Sequence, residues 1–270
     1  IRQSPRDALL IAARLRFATE GHFGPGLEPT PVPPGMPAVQ PVNNFYPTAS
    51  ELGNDLAIAR LGHAIEPQNS FFDFVQVGIL FGLHRNDDAL AALHAAGESK
   101  YYDDHMSAEV RTRIAAAKAG GPMLPEQKYS MWANEIFPHY AIFDRIVRSA
   151  KWLALQIGRR GDARRELQIE ADLLHFGGQV RDCPEVEIGR LVGASFQDIA
   201  WESTTIAAGA GSGSTAGAGP RLTALHAFAA YATRHGRADL AREVLAQAKI
   251  DFHIQTVTSK LKPVILFGPE

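Results

Sequence analysis

The chain has 270 residues, of which 46% are apolar, 21% charged and 9% aromatic, and this balance excludes a disordered or fibrous protein. The net charge of −2 predicts no strongly basic surface, so the composition argues against a nucleic-acid binder. The single cysteine, Cys183, excludes an intramolecular disulfide, a Cys-x-x-Cys redox pair and a zinc knuckle. No run of residues reaches the roughly 18 to 20 consecutive apolar ones of a membrane-spanning helix.

Two contrasting segments open the chain. Ser4-Pro5-Arg6-Asp7 supplies a capping hydroxyl, an N1 proline and an early acid before an apolar run, which predicts a helix within residues 1–22. Eight of the chain's 17 prolines follow in residues 23–47. Because each proline removes a backbone donor and disfavours helix in the residue before it, this segment is predicted to be extended. We expect a strap over the domain surface, with a free linker or a docking peptide as the alternatives.

Residues 48–262 show helical periodicity almost throughout and are predicted to form one domain. A capping box at Thr48-Ala49-Ser50-Glu51 and a capping serine at Ser70 predict the starts of two helices. The helix after Ser70 is apolar nearly all round, which predicts a position at the centre of the core. Further helices are predicted at about 87–96, 107–119, 125–137, 139–160, 162–176, 184–208, 220–235 and 238–259. An all-α fold follows.

Two stretches of this region lack the helical pattern. Residues 209–219 hold five glycines and no side chain larger than threonine, so we expect a flexible loop. No strand precedes these glycines and no Gly-Lys-Ser/Thr follows them, which argues against a phosphate-binding loop. The last residues, 263–270, are predicted to be an extended tail.

Three junctions between predicted helices share one pattern, centred on Asn86, Gly161 and Gly236. In each, basic residues end one helix, Asn or Gly takes a position that tolerates a left-handed backbone, and the next helix starts at once. Each junction therefore predicts an antiparallel helical hairpin. The three positions are 75 residues apart in both intervals, which fits two hairpins per period.

At these junctions the sequence resembles tetratricopeptide-type helical repeats, in which a small residue follows the inter-helix glycine by about five positions. The corresponding pairs here are Gly236/Ala241, Asn86/Ala91 with Asn in place of Gly, and Gly161/Glu166 as a departure. The resemblance implies hairpins packed as an irregular bundle or short solenoid.

A second similarity concerns Phe137-Pro-His-Tyr140, Gly161-Asp162 and Ile188-Gly-Arg-Leu-Val-Gly193. These stretches are similar to uncharacterised bacterial envelope proteins of helical-hairpin type, which are often tethered by an N-terminal membrane segment. The similarity implies no activity, and it favours the bacterial cell envelope over the cytoplasm. Because the sequence starts at Ile1 rather than methionine, we expect a removed or omitted upstream segment, with a signal peptide, a membrane anchor and a mere cloning boundary all left open.

Five aromatic or histidine residues form a candidate partner-binding patch. They are Trp132, Phe137, His139, Tyr140 and Trp152. Tryptophan and tyrosine carry much of the binding energy at protein interfaces, so such a patch suits recognition of another protein. Core packing is the alternative explanation for the same residues.

Candidate chemistry is sparse. Asp198 and Glu202 lie one helical turn apart and are candidate metal ligands, although no His-Glu-x-x-His spacing joins them, and a solvated or salt-bridged face explains them equally. The segment from Tyr101 to His105 offers oxygen and nitrogen ligands, with an acid-capped helix start as the alternative. Cys183 is predicted near a helix N-terminus, which would lower its pKa, but nothing in the sequence positions a base beside it.

The sequence therefore predicts a non-enzymatic protein-interaction module that acts as a structural or accessory subunit of a bacterial envelope assembly. It predicts another protein as partner and no cofactor. The alternative is a metal-dependent enzyme or ligand-binding bundle that uses Asp198 and Glu202. A regulatory repeat domain in the cytoplasm differs from the first function in location.

Overall fold

The structure is a computed structural model, and it describes residues 7–20, 47–133, 138–183, 187–202 and 218–246. Every regular element in those ranges is a helix, which confirms the all-α class. The helices are α1 (Ala8–Glu20), α2 (Ala49–Ile65), α3 (Ser70–Gly82), α4 (Asn86–Glu98), α5 (Met106–Ala119), α6 (Pro125–Ala133), α7 (Pro138–Arg159), α8 (Ala163–Arg181), α9 (Glu187–Glu202), α10 (Ala218–Arg234) and α11 (238–246). The predicted strap up to residue 46, the Gly-rich loop up to residue 217 and the predicted tail lie outside the described residues.

Local sequence signals set the first helix starts. The predicted capping box is present at α2, where the Thr48 hydroxyl accepts from the Glu51 N–H at 3.2 Å and the Glu51 carboxylate accepts from the Thr48 N–H at 2.7 Å. At α3 the cap is Asn69 rather than Ser70, because the Asn69 side chain accepts the N–H of Phe71 at 3.2 Å. The Ser70 hydroxyl instead donates to a carbonyl of the segment that follows α4.

The centre of the core is α3, as its apolar sequence predicts. All of its side chains from Ser70 to Phe81 are buried. The Phe74 ring stacks on Phe176 of α8 with centroids 3.7 Å apart, and it meets Phe143 of α7 edge-on at 5.0 Å. Each such aromatic pair contributes about 0.5–1.5 kcal/mol beyond the apolar area it buries.

The three predicted hairpin junctions share one hydrogen-bonded turn. Left-handed backbone occurs at His84 (φ 58°), Gly161 (φ 95°) and Gly236 (φ 80°). At each, the N–H of the following residue donates to a carbonyl five residues back, and the left-handed residue donates to a carbonyl three residues back, which is the Schellman pattern. The prediction for Asn86 is wrong, because Asn86 is the first residue of α4 and His84 takes the left-handed position.

With the left-handed residue placed at His84, the three junctions can be compared at the position where Glu166 stands in place of a small residue. Five residues after the left-handed position stand Ala89, Glu166 and Ala241, all of them buried. Glu166 fits in place of alanine because Gly158 on α7 has no side chain, and a Cβ there would overlap the Glu166 carboxylate. That carboxylate accepts a hydrogen bond from the Tyr231 hydroxyl of α10 at 2.6 Å.

The second helices of the three hairpins, α4, α8 and α11, lie side by side and are called here the three-helix layer. Contacts between α4 and α8 advance in the same direction along both helices, from Asp87–Arg165 to His94–Asp172. Contacts of α8 with Arg237, which directly precedes α11, and with α11 itself do the same, from Gln168–Arg237 to His175–Glu243. The three helices of this layer are therefore parallel, with α8 in the middle.

A close helix crossing joins α8 to α9, which runs antiparallel to it. Gly177 and Gly193 meet there, and a Cβ at Gly193 would lie 2.5 Å from the carbonyl oxygen of Gly177 and 2.7 Å from the Cα of Arg181. Bulkier residues at this crossing would force the two backbones apart.

A buried ion pair fastens α7, α8 and α9 together. Lys151 of α7 donates to the Glu170 carboxylate of α8 and, at 2.7 Å, to the carbonyl oxygen of Ala200 near the end of α9. Only 3% of the Lys151 side chain and none of the Glu170 side chain is exposed. Burial raises the pKa of Glu170, and the charge of Lys151 opposes that rise.

Candidate binding cleft

The described residues form an open cleft of about 430 Å³, with polar and apolar lining, over the C-terminal half of α8. One wall is the end of α4 and the segment after it, and the other walls come from α9 and α11. Its polar side chains include Lys100, His175, Gln179, Arg181, Gln197 and Glu243. The volume is that of a site for a small molecule or a few residues of a peptide.

Gln179 of α8 organises the α4 wall. Its amide Nε2 donates to the carbonyl oxygens of Ala96 and Gly97 at 3.1 Å and of Ser99 at 2.7 Å. Ala96 and Gly97 belong to the last turn of α4 and Ser99 directly follows the helix, where few backbone donors are available; the Ala96 carbonyl also accepts the Ser99 N–H at 3.2 Å. Gln179 therefore caps α4 and holds the end of that helix beside the cleft.

The α9 wall is tied to α8 by side-chain hydrogen bonds. Arg181 donates to the Gln197 side-chain oxygen at 2.9 Å and to Asp182 at 2.9 Å. Gln197 also donates to the carbonyl oxygen of Leu174 at 3.3 Å. Amide and guanidinium groups are thus held in fixed positions along this side, and such groups suit recognition of peptide carbonyls or carboxylates.

The α11 wall is joined to α8 through His175 and Glu243, whose Nε2 and Oε2 atoms are 3.1 Å apart. The hydrogen bond that His175 donates to Glu243 raises the pKa of His175 above its usual value of 6.5 and lowers the pKa of Glu243. The pair is consequently charged in mildly acidic solution.

A buried tyrosine belongs to the wall of the cleft. Tyr102 lines it and is 3% exposed, and burial raises the pKa of Tyr102 well above 10, so that its hydroxyl stays neutral. Behind it, the Asp104 carboxylate contacts His139 Nε2 at 2.9 Å. Although burial alone would raise the pKa of Asp104, the hydrogen bond and charge of His139 hold it below its usual value. Arg16 of α1 donates to the Asp104 carbonyl and to Glu109.

The structure divides the predicted aromatic patch. His139 is fully buried and Tyr140 is 6% exposed, so both belong to the core, in line with the packing alternative. Trp152 is 41% exposed on α7. The side chain of Trp132 and the whole of Phe137 lie outside the described residues.

The candidate metal ligands are only partly described. Asp198 is half-buried on α9, and the side chain of Glu202 lies outside the described part of the chain. Among the residues that are described, no group of three or more His, Cys, Asp and Glu side chains is placed to hold a metal ion. In the segment before α5 two acids stand at the helix start, where Asp103 accepts the N–H of His105 at 2.7 Å and Asp104 that of Met106 at 2.9 Å, while the N-cap position itself is His105.

The cleft residues were not predicted as a site, although one sequence signal points to them. His175 and Gln179 are four residues apart, which puts them on one face of α8, and Cys183 follows at the same interval just after the helix ends. Cys183 is a half-buried thiol on the cleft wall.

Comparison with protein-family models, with characterised proteins and with solved structures finds no match to this chain. Within the described residues, no helix has both the length and the hydropathy to cross a lipid bilayer.

Proposed function

We propose that this chain is a non-enzymatic helical-hairpin module of tetratricopeptide-like organisation that binds a short segment of another protein. The recurring Schellman turn and the parallel packing of α4, α8 and α11 support the proposed organisation, because stacked repeats place equivalent helices side by side. Different helix lengths and the intervening helices α5, α6 and α9 make the stack irregular.

The observation that carries this function is the position of the cleft. It lies on the middle helix of the three-helix layer and draws walls from two neighbouring hairpins. Its lining alternates amides, such as Gln179 and Gln197, with charges of both signs. The two amides hold the cleft walls in place through their bonds to α4 and α8, whereas the exposed side chains of Lys100, Tyr101 and Glu243 are placed to select the side chains of a bound peptide.

The partner is proposed to belong to a bacterial envelope assembly in which this chain is an accessory subunit. The similarity of three sequence stretches to envelope proteins of helical-hairpin type supports that location. The described helices supply a binding surface, and the assembly supplies its partner.

A photo-crosslinking amino acid at Lys100, on the cleft rim, tests the proposal in cells that express the protein. We expect a crosslink to one specific protein, which should also co-purify with the unmodified chain. The same amino acid at Arg60, exposed on α2, is the matched control and should give no such crosslink.

A second experiment fills the cleft with a larger side chain. Gly178 lines the cleft, and a Cβ there makes only ordinary contact, 3.4 Å from Gln197, so Gly178→Leu should fold and occupy the space. We expect this variant to lose the crosslink from position 100. A crosslink that survives Gly178→Leu, or that appears equally at position 60, contradicts binding in the cleft.

A further inference from the structure

Five titratable side chains meet where the helices of the three-helix layer adjoin. His94 and Glu98 come from α4, Asp172 and His175 from α8, and Glu243 from α11. His94 Nδ1 lies 3.0 Å from Asp172 Oδ1, and His175 Nε2 lies 3.1 Å from Glu243 Oε2. Glu98 acts on both histidines through its charge. We call these residues the layer cluster.

The layer cluster joins neighbouring hairpins rather than the helices of one hairpin. His94–Asp172 links the first hairpin (α3 and α4) to the second (α7 and α8), and His175–Glu243 links the second to the third (α10 and α11). Asp172 is 2% exposed, and Gln168 also donates to it at 2.9 Å. His175 is one-third exposed and stands on the cleft wall beside Glu243, so solvent reaches this part of the joint.

We propose that the layer cluster is a pH-sensitive joint, which holds the third hairpin against α8 while His175 is protonated and loosens it when His175 loses its proton. As a means of regulating partner binding, the joint rests on the proposed function of the cleft. The loosening itself needs no partner.

The direction of the effect follows from the charges. In the protonated state two imidazolium groups stand among three carboxylates, whereas at higher pH the same three carboxylates face neutral rings and repel one another. The pKa of His175 is raised by its hydrogen bond with Glu243, and that of His94 by its hydrogen bond with Asp172. A raised histidine pKa gives stability that is complete below the ordinary pKa of about 6.5 and is lost as pH rises through the folded value.

Other charges face the joint and stay in place during this change. Arg237, just before α11, and Asp239 in its first turn act on Glu243 through their charges, and Arg237 also donates to Gln168 of α8 at 3.0 Å. Lys100, Arg181 and Asp182 line the adjoining cleft. Because Arg237 and a hydrogen bond from neutral His175 still connect α11 to α8, deprotonation loosens the third hairpin without detaching it.

Hydrogen–deuterium exchange of the full chain, measured at about pH 6 and pH 8.5 and corrected for intrinsic exchange rates, tests the joint directly. We expect the amide protection of α11 to fall about two- to fivefold at the higher pH, which is the range for an ion pair that solvent partly screens. His175→Asn and Glu243→Gln should both abolish that difference. His226→Asn, at an exposed position of α10 outside the cluster, is the control and should retain it.

Imidazole NMR titration supplies a readout that does not depend on opening. The pKa of His175 should fall in Glu243→Gln, a change that keeps the size of the side chain. Equal protection of α11 at both pH values in the wild type, or a pH difference that persists in His175→Asn, would overturn the proposal. These outcomes do not depend on the crosslinking experiment. Partner binding in the cleft and the pH-sensitive joint can therefore be disproved independently of each other.

Discussion

Lys151 and Glu170 face each other between α7 and α8 with almost no exposed surface. A buried pair of this kind adds little stability over a well-packed apolar pair, but the loss of one partner leaves an uncompensated charge. Its role here is to fix how three helices meet, since Lys151 also donates to the Ala200 carbonyl of α9.

Replacing Lys151 by methionine should lower the free energy of unfolding by about 3–5 kcal/mol at pH 7, measured by urea denaturation. Burial already raises the pKa of Glu170, and removal of the ammonium raises it further. A buried carboxyl group with a raised pKa costs the least stability when it is protonated. The loss of stability in Lys151→Met should therefore become smaller as the pH falls from about 8 to about 5.

Two further variants, a control and a double substitution, test that prediction. Lys118→Met, at an exposed site on α5, should stay within about 0.5 kcal/mol of the wild type. The double change Lys151→Met with Glu170→Leu should recover most of the loss, because it removes both charges together. A Lys151→Met protein as stable as the wild type would show that Glu170 does not depend on this lysine.

Gly158 and Glu166 form a size-matched pair, and Gly158→Ala should therefore displace the Glu166 carboxylate from Tyr231 and lower the free energy of unfolding by about 0.5–1.5 kcal/mol. Glu166→Ala in the same chain should relieve the clash, since alanine stands at the equivalent positions 89 and 241. Gly53→Ala on α2, where a Cβ meets nothing within 4 Å, should instead stabilise by up to about 1 kcal/mol. Thermal unfolding of the three proteins measures the contrast; destabilisation of equal size at 53 and 158 would rule out the overlap as its cause.

Helix ends and hairpin turns are the features that the sequence predicts best. The capping box at Thr48 and the turns at Gly161 and Gly236 are confirmed, because each depends on hydrogen bonds within a few residues. The first junction is misplaced by two residues, since His84 supplies a left-handed backbone that residue type alone would assign to Asn86. The turn's hydrogen bonds override the side chain's own preference there.

Substitutions at equivalent turn positions should have opposite signs. Gly161→Ala should cost about 1–2 kcal/mol, because a Cβ is disfavoured at φ 95°. His84→Gly should raise the free energy of unfolding by up to about 1 kcal/mol, because glycine adopts the left-handed backbone without strain. Chemical denaturation of both variants decides the point, and a destabilised His84→Gly protein would mean that the imidazole makes a compensating contact.

At the scale of the whole molecule, α8 is in contact with helices of all three hairpins. It contacts α4, α7, α9 and α11, and Gly177 and Gly193 allow its close crossing with α9. A substitution at this crossing should therefore lower the stability of distant elements as well, including the first hairpin.

Gly193→Ala should lower stability by about 1–3 kcal/mol, with far-UV circular dichroism and hydrogen exchange in α3 and α4 reporting the same loss. Gly178→Ala, in the same helix pair, makes only ordinary contact with Gln197 and serves as the matched control. Unchanged protection of α3 and α4 in Gly193→Ala would mean that the first hairpin unfolds independently of the α8–α9 crossing.

By itself, the sequence determined the all-α class, the central apolar helix and most of the hairpin turns, because helical period, caps and glycine positions act over fewer than about ten residues. Only the tertiary structure decided that His139 and Tyr140 are core residues and that Lys100, Gln179 and Glu243 border one cleft. Those outcomes depend on how helices from distant parts of the chain stack. Stacking is governed by shape and by the pairing of buried polar groups, neither of which a local pattern encodes.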